Sequence, residues 1–302
     1  MGLETLINNP GCEWLPSEPV LHVATSHALI QAAGHIKYNL AREGKRVLFR
    51  GQRKLYGGLI PTLFRGEGGG PLALGTAKSR TDSLTKKIEK VTSAQAFLNN
   101  TNDLAKEPLL QHYGMNTPWL DLVDNVWVAL WFATHRAVPH KDNPHFVHFE
   151  QRSIRHKEDD GFAYVLLLSA PYKVLDASNG SQQKPSNENQ DTVGFYKEDN
   201  LILVDLRQAA PSTYLRPHAQ HGLLLKRDTL NTKDDIDLKD RIAGTVRVYL
   251  EDALQWLGTG SLLSVHSLFP PAGYDYGYAC LLNKYPEGED EQHLGCIQMV
   301  SP

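Results

Sequence analysis

Val126 to Ala133 reads V-W-V-A-L-W-F-A, a run without a single polar side chain. A helix built from it has no face to offer to water, so it must be enclosed by the rest of the chain. It is also too short to cross a bilayer, which takes about 20 apolar residues. Immediately before it stands Gln111-His112-Tyr113-Gly114-Met115-Asn116-Thr117-Pro118-Trp119-Leu120-Asp121, rich in hydrogen-bonding groups. The polar cluster is therefore pinned against the core at a strand-to-helix junction, a place where binding sites form.

A chain of 302 residues can bury a large core as one domain or two. Its formal net charge of -3 argues against coating nucleic acid through bulk positive charge, though a local basic groove is compatible with it. Cys12, Cys280 and Cys296 are far apart, odd in number and without C-x-x-C spacing. They predict free thiols in a reducing compartment, not a disulfide framework or a zinc ribbon. No apolar run reaches about 18 residues, and the N-terminus shows neither a secretory nor a myristoylation pattern. The expectation is a cytoplasmic protein with no membrane segment.

Periodicity and punctuation predict a helix over Ser26 to Glu43, capped by Thr25 or Ser26 and stopped by Gly44. A strand follows over Arg46 to Gln52, where Gly51 ends or kinks the pairing. Helices are predicted over Thr81 to Leu98 and Leu104 to Tyr113, and an extended piece over Thr117 to Leu122. Asp124 is the predicted cap of the apolar helix, which should end near Arg136. Ala163 to Leu168, Leu201 to Leu206, Gly222 to Leu225 and Thr245 to Leu250 read as strands, and Ser261 to Leu268 as a short helix before Pro270-Pro271. Ala177 to Asn189, rich in Ser, Asn, Gln and Lys, reads as a surface loop. Without a repeat or a clean linker, the pattern predicts a single α+β domain. Its core is a mixed or antiparallel sheet, its N-terminal half helical.

Several groups could carry chemistry. His140, His145 and His148 lack a cysteine or carboxylate at zinc-site spacing and read as a polar loop, and no metal site is predicted. His218 and His221 are discounted as a metal pair for the same reason. The run Gly66 to Gly70 lacks the Lys-Ser/Thr of a phosphate loop and lies between Arg65 and Pro71, as a surface loop would. Arg50 ends an apolar strand beside Gly51, which would let a ligand approach closely. Its guanidinium suits a phosphate or carboxylate ligand; equally, it could pair with a buried carboxylate such as Asp121. Arg65 has a similar reading. His112 is a candidate general base or a capped core histidine.

Phe49-Arg50-Gly51-Gln52, Leu59 to Arg65, Leu110 to Gly114 with Thr117 and Leu120-Asp121, and Ala129 to Ala133 resemble the FRG-domain family. Arg216-Pro217-His218-Ala219-Gln220-His221-Gly222 is similar to its R-x(n)-Q-x-G element, and Ser267-Leu268-Phe269-Pro270 to its closing S-L-F-P. Pro118-Trp119 and Leu122 depart from the usual pattern. The resemblance implies an FRG domain over residues 25–275, between extensions at 1–24 and 276–302.

The order of these blocks also resembles arginine-class ADP-ribosyltransferases, which implies a fold of that kind and NAD as the nucleotide consumed. In that comparison Arg50 matches the phosphate-holding arginine and Thr117 the element bracing the nicotinamide pocket. The late position falls at Gln220 or His221, where no glutamate stands, and a glutamine supplies no negative charge to a developing cation. Asp121 is then the acid available. The resemblance implies Arg50, Gln52, Arg65, Gln111, Tyr113 and Thr117 as ligand-binding residues and His112, Asp121, Gln220 and His221 as catalytic ones. A protein or nucleic-acid acceptor would make the chain an effector of the toxin or anti-phage defence kind. The alternative is a non-catalytic module binding a nucleotide, a nucleic acid or a protein.

Overall fold

The computed structural model describes residues 2–94, 98, 101–155, 159–175, 192–284 and 294–301. The predicted loop at 177–189 lies outside the described residues. The fold is α+β. Its main sheet holds nine strands: β1 (Cys12–Leu15), β2 (Val20–Val23), β3 (Arg46–Gln52), β4 (Leu120–Val123), β7 (Phe162–Ala170), β8 (Phe195–Glu198), β9 (Leu201–Asp205), β10 (Gly222–Arg227) and β11 (Ile242–Tyr249). They lie in the order β1-β2-β11-β7-β3-β4-β10-β9-β8, antiparallel except for the β2–β11 pair. A second sheet has the order β12-β6-β5, from β5 (His135–His140), β6 (Asn143–Gln151) and β12 (Met299–Ser301). The sheet core is mixed, as the sequence predicts, and residues 12–23 are strands within it.

The larger helices are α1 (Ser26–Arg42), α2 (Leu74–Ala94), α3 (Asp103–His112) and α4 (Val126–Thr134). The others are α5 (Leu206–Ala209), α6 (Leu215–Ala219), α7 (Leu250–Leu257), α8 (Val265–Leu268) and α9 (Tyr276–Lys284). α1 begins as predicted, with the Thr25 hydroxyl accepting from the Ala28 N–H. α2 starts at Leu74, seven residues ahead of the predicted start at Thr81, so that Thr81 lies inside it. There the Thr81 hydroxyl bonds back to the Ala77 carbonyl instead of capping.

α4 is enclosed as its composition requires. Val128, Ala129, Leu130, Trp131 and Ala133 are each at most 1% exposed, and burying a large side chain of this kind is worth roughly 1.5–3 kcal/mol. Its cap is Asn125, whose side chain accepts from the Trp127 N–H, and not Asp124. It stops at Thr134, because His135 enters β5. The histidines expected in a polar loop therefore stand on the β5–β6 hairpin, and no three-ligand metal cluster occurs among the described residues. No described helix is long and apolar enough to cross a membrane, and the three cysteines are free thiols.

One break in the main sheet decides where a ligand can go. β3 pairs with β7 along its whole length, through Gln52, so Gly51 does not end that pairing. Toward β4 it makes a single register match, Phe49 with Val123. Continued pairing would set Gly51 opposite Asp121; the strands part instead. The gap cannot close from the helix side, because a Cβ on Gly51 would lie 1.9 Å from the Ala129 carbonyl oxygen. Gly51 is thus required by the packing of α4, and it also lines the gap that opens beside Arg50.

Candidate functional site

A cleft of about 610 Å³ opens where β3 and β4 part. Arg50, Gly51 and Gln52 form one wall and Asp121, Leu122 and Val123 the other. Gln111, His112, Gly114, Phe132, His135, Phe149 and Phe269 complete the lining. Arg65 lies on the rim contributed by residues 58–69, and the C-terminal segment adds Gln298 and Val300. The size is that of a site for a small organic ligand.

Asp121 is the hub. Its carboxylate accepts from the Gln111 amide at 2.8 Å and stands 3.8 Å from His112 Nδ1. Its backbone carbonyl accepts from Arg50 Nη1 at 2.6 Å. Enclosure by the cleft raises the carboxyl, but the His112 imidazole, the Arg50 guanidinium and the Gln111 amide outweigh it and hold the group below the usual value. Asp121 is therefore ionised at neutral pH, with 52% of its side chain open to the cleft.

The surrounding charge is positive. Arg50, Arg53, Arg65, Arg136 and Arg216 line the cleft, and Asp121 is the one carboxylate among its lining residues. Arg136 is neutralised by Glu150, which lies 2.8 Å away. Burial pushes the Arg50 guanidinium down, and Arg65 adds to this while Asp121 partly offsets it. Arg65 is likewise lowered by burial. Its Nε is spent on the Ile60 carbonyl, and Arg50 Nε is buried without a partner. Arg50 is partly buried and Arg65 exposed, and the two guanidiniums repel each other across the cleft.

Not all the predicted residues meet here. Arg50, Gln52, Arg65, Gln111, His112, Asp121 and Gln220 line the cleft; Tyr113, Thr117 and His221 do not. Tyr113 turns into the core, fully buried, and donates to the Asp275 carboxylate at 2.6 Å. Thr117 is buried and donates its hydroxyl to the Gln111 side-chain oxygen, so it aims the amide that holds Asp121. Gln220 has its amide engaged with the Leu268 carbonyl at 2.8 Å. His221 stands at positive φ, with Nδ1 2.9 Å from Asp124, whose carboxylate also receives Arg207. Gln220 and His221 are thus engaged with Leu268 and Asp124, and not with the Asp121 carboxylate.

His112 is held rather than free. A Cβ on Gly222 would come within 2.6 Å of its ring, so the imidazole packs directly against that glycine while its Nε2 stays buried and unbonded. His135 differs. It stacks on Trp131 at 4.1 Å, and its Nδ1 lies 2.9 Å from the Trp131 carbonyl. A carbonyl only accepts, so Nδ1 carries the proton and Nε2 keeps a lone pair. Burial lowers its pKa, outweighing the Trp131 carbonyl, which raises it. Sequence reading missed His135, Phe149 and the lining role of Arg216, because a hairpin and a helix distant in sequence bring them in. The S-L-F-P segment was the available signal for Phe269, which stacks on Phe149 at 4.4 Å.

Residues 45–142 match the family model of the FRG domain. Over that stretch the chain carries an FRG domain. Comparison with curated proteins and comparison with solved structures each gave no match. The matched stretch of the FRG domain holds Arg50, Arg65, Gln111, His112 and Asp121, the charged and hydrogen-bonding wall of the cleft. Arg216, Gln220 and Phe269 close it from outside that stretch.

Proposed function

We propose that the cleft binds NAD and that the chain transfers ADP-ribose from it. The observation that carries this reading is the ionised Asp121 carboxylate facing a cleft that five arginines also line. Arg50 and Arg65 suit the pyrophosphate, through the charge-assisted bonds that guanidinium makes with phosphate oxygens. The Phe132, Phe149 and Phe269 wall suits an aromatic ring. Breaking the ribose–nicotinamide bond sends the electron pair to nicotinamide and leaves positive charge on the sugar. A fixed carboxylate stabilises that charge when it is already ionised and oriented, as the Gln111 amide and His112 hold Asp121. The acceptor nucleophile, on a protein or a nucleic acid, forms the new bond at the same carbon and gives up its proton. Neutral His135, with Nε2 unprotonated, suits the role of base.

A specific observation favours a second reading, a non-catalytic nucleotide-binding module. The late position holds Gln220, and its amide is spent on the Leu268 carbonyl. Incubation with NAD and a cell lysate as acceptor source separates the two by nicotinamide release. The transferase reading expects release by the wild type and its loss in Arg50→Ala. NAD binding without any release would leave the module standing and sink the transferase.

A further inference from the structure

Arg216 stands apart from every other arginine of the cleft. It is 2% exposed, yet no carboxylate among the described residues lies within ion-pair distance of its guanidinium. The group lies beside the stacked Tyr113 and Tyr278 rings, whose centroids are 5.3 Å apart, with its central carbon 4.5 Å from each and Phe269 at 5.4 Å. Nη1 donates to the His112 carbonyl at 3.2 Å, whereas Nε and Nη2 are buried without any partner. The nearby buried carboxylate, Asp275, is taken up by the Tyr113 hydroxyl and the backbone N–H groups of Leu215, Arg216 and Tyr278. A buried cation with two idle donors is costly unless an anion completes it. The residue lines the cleft on the side of His112, whose ring adjoins Asp121.

We propose that Arg216 is a second anion subsite of this cleft, taking one phosphate group of a nucleotide whose other phosphate sits at Arg50 and Arg65. The three aromatic rings and the bond to the His112 carbonyl hold the guanidinium in place, so the donors are ordered before the ligand arrives. The consequence is selectivity: the cleft prefers nucleotides with two phosphate groups over those with one. This rests on the reading of the cleft as a nucleotide site.

The test is calorimetric titration of the full chain with AMP, ADP and NAD, using wild type, Arg216→Met and Arg216→Lys, with a thermal melt of each variant. The wild type should bind ADP and NAD about ten- to a hundredfold more tightly than AMP, the worth of a charge-assisted contact. In Arg216→Met that preference should collapse to within about threefold while AMP affinity holds, and Arg216→Lys should fall between, having charge without the planar fork. If Arg216→Met fails to fold, Arg216→Lys decides. Lowered melting temperatures with the preference intact would make Arg216 structural and overturn this subsite alone. Failure of the wild type to bind any of the three would overturn the subsite and the nucleotide reading together.

Discussion

Arg50 donates a 2.6 Å hydrogen bond to the backbone carbonyl of Asp121, across the gap where their two strands part. The side chain satisfies a carbonyl on the β4 edge that β3 leaves open, and it fixes the width of the cleft. The sequence offered the Asp121 carboxylate as its partner; the guanidinium instead takes the Asp121 main-chain carbonyl and faces the cleft. Replacing Arg50 with lysine keeps the charge but loses the fork that reaches both. Arg50→Lys should weaken NAD binding by about ten- to a hundredfold and leave the far-ultraviolet circular dichroism unchanged. Unaltered affinity by titration calorimetry would show that Arg50 serves the sheet only.

Gly51 is set by the helix behind it. Gly51→Ala places a methyl 1.9 Å from the Ala129 carbonyl oxygen, so α4 must move or β3 must close on β4. Calorimetric melting should fall by about 5 °C or more, the scale of overpacking a core in a chain this size. A melting point within about 1 °C of wild type would show that the packing of α4 on β3 is looser than described.

Tyr113 tests the boundary between core and cleft. Its hydroxyl is the hydrogen-bond donor to buried Asp275, and burial together with Asp275 raises its pKa well above the usual value. Tyr113→Phe should cost about 1–3 kcal/mol in denaturant unfolding with nucleotide affinity unchanged. A variant of wild-type stability with weakened binding would return Tyr113 to the ligand site.

His135 sets a pH dependence. Burial lowers its pKa below the ordinary 6.5, so above that value the folded and unfolded states both hold it neutral and it contributes no slope. Below it the unfolded chain takes up a proton that the folded chain refuses, and stability falls as pH falls until the lowered value is reached. Urea unfolding from pH 7.5 down to pH 5 should show this decline. His135→Gln should flatten part of it, while His22, lowered by burial and by Arg247, keeps the rest. Parallel curves for the two proteins would contradict the burial of His135.

The sequence disclosed the local parts of this site and not their meeting. Gln111, His112 and Asp121 lie within eleven residues of one another, and the apolar helix after them announces its own burial. Tyr113 and Thr117, in the same cluster, face inward. Residue type does not say which way a helix end turns, and the rotation there follows the packing of Gly114 against residues 296–298. Asp124 looked like a cap, but Asn125 performs that role because Arg207 and His221, nearly a hundred positions downstream, draw Asp124 outward. The gap between β3 and β4 depends on strand order, which no local pattern encodes.

The central claim is that Asp121 acts on the sugar cation and not on ligand grip, so affinity and turnover must be measured on one pair of proteins. Asp121→Asn keeps the shape and the Gln111 contact while removing the charge. The account predicts an NAD dissociation constant within about threefold of wild type and nicotinamide release slowed about a hundredfold or more. Equal release rates in the two proteins, or no release by the wild type with NAD bound, would contradict it.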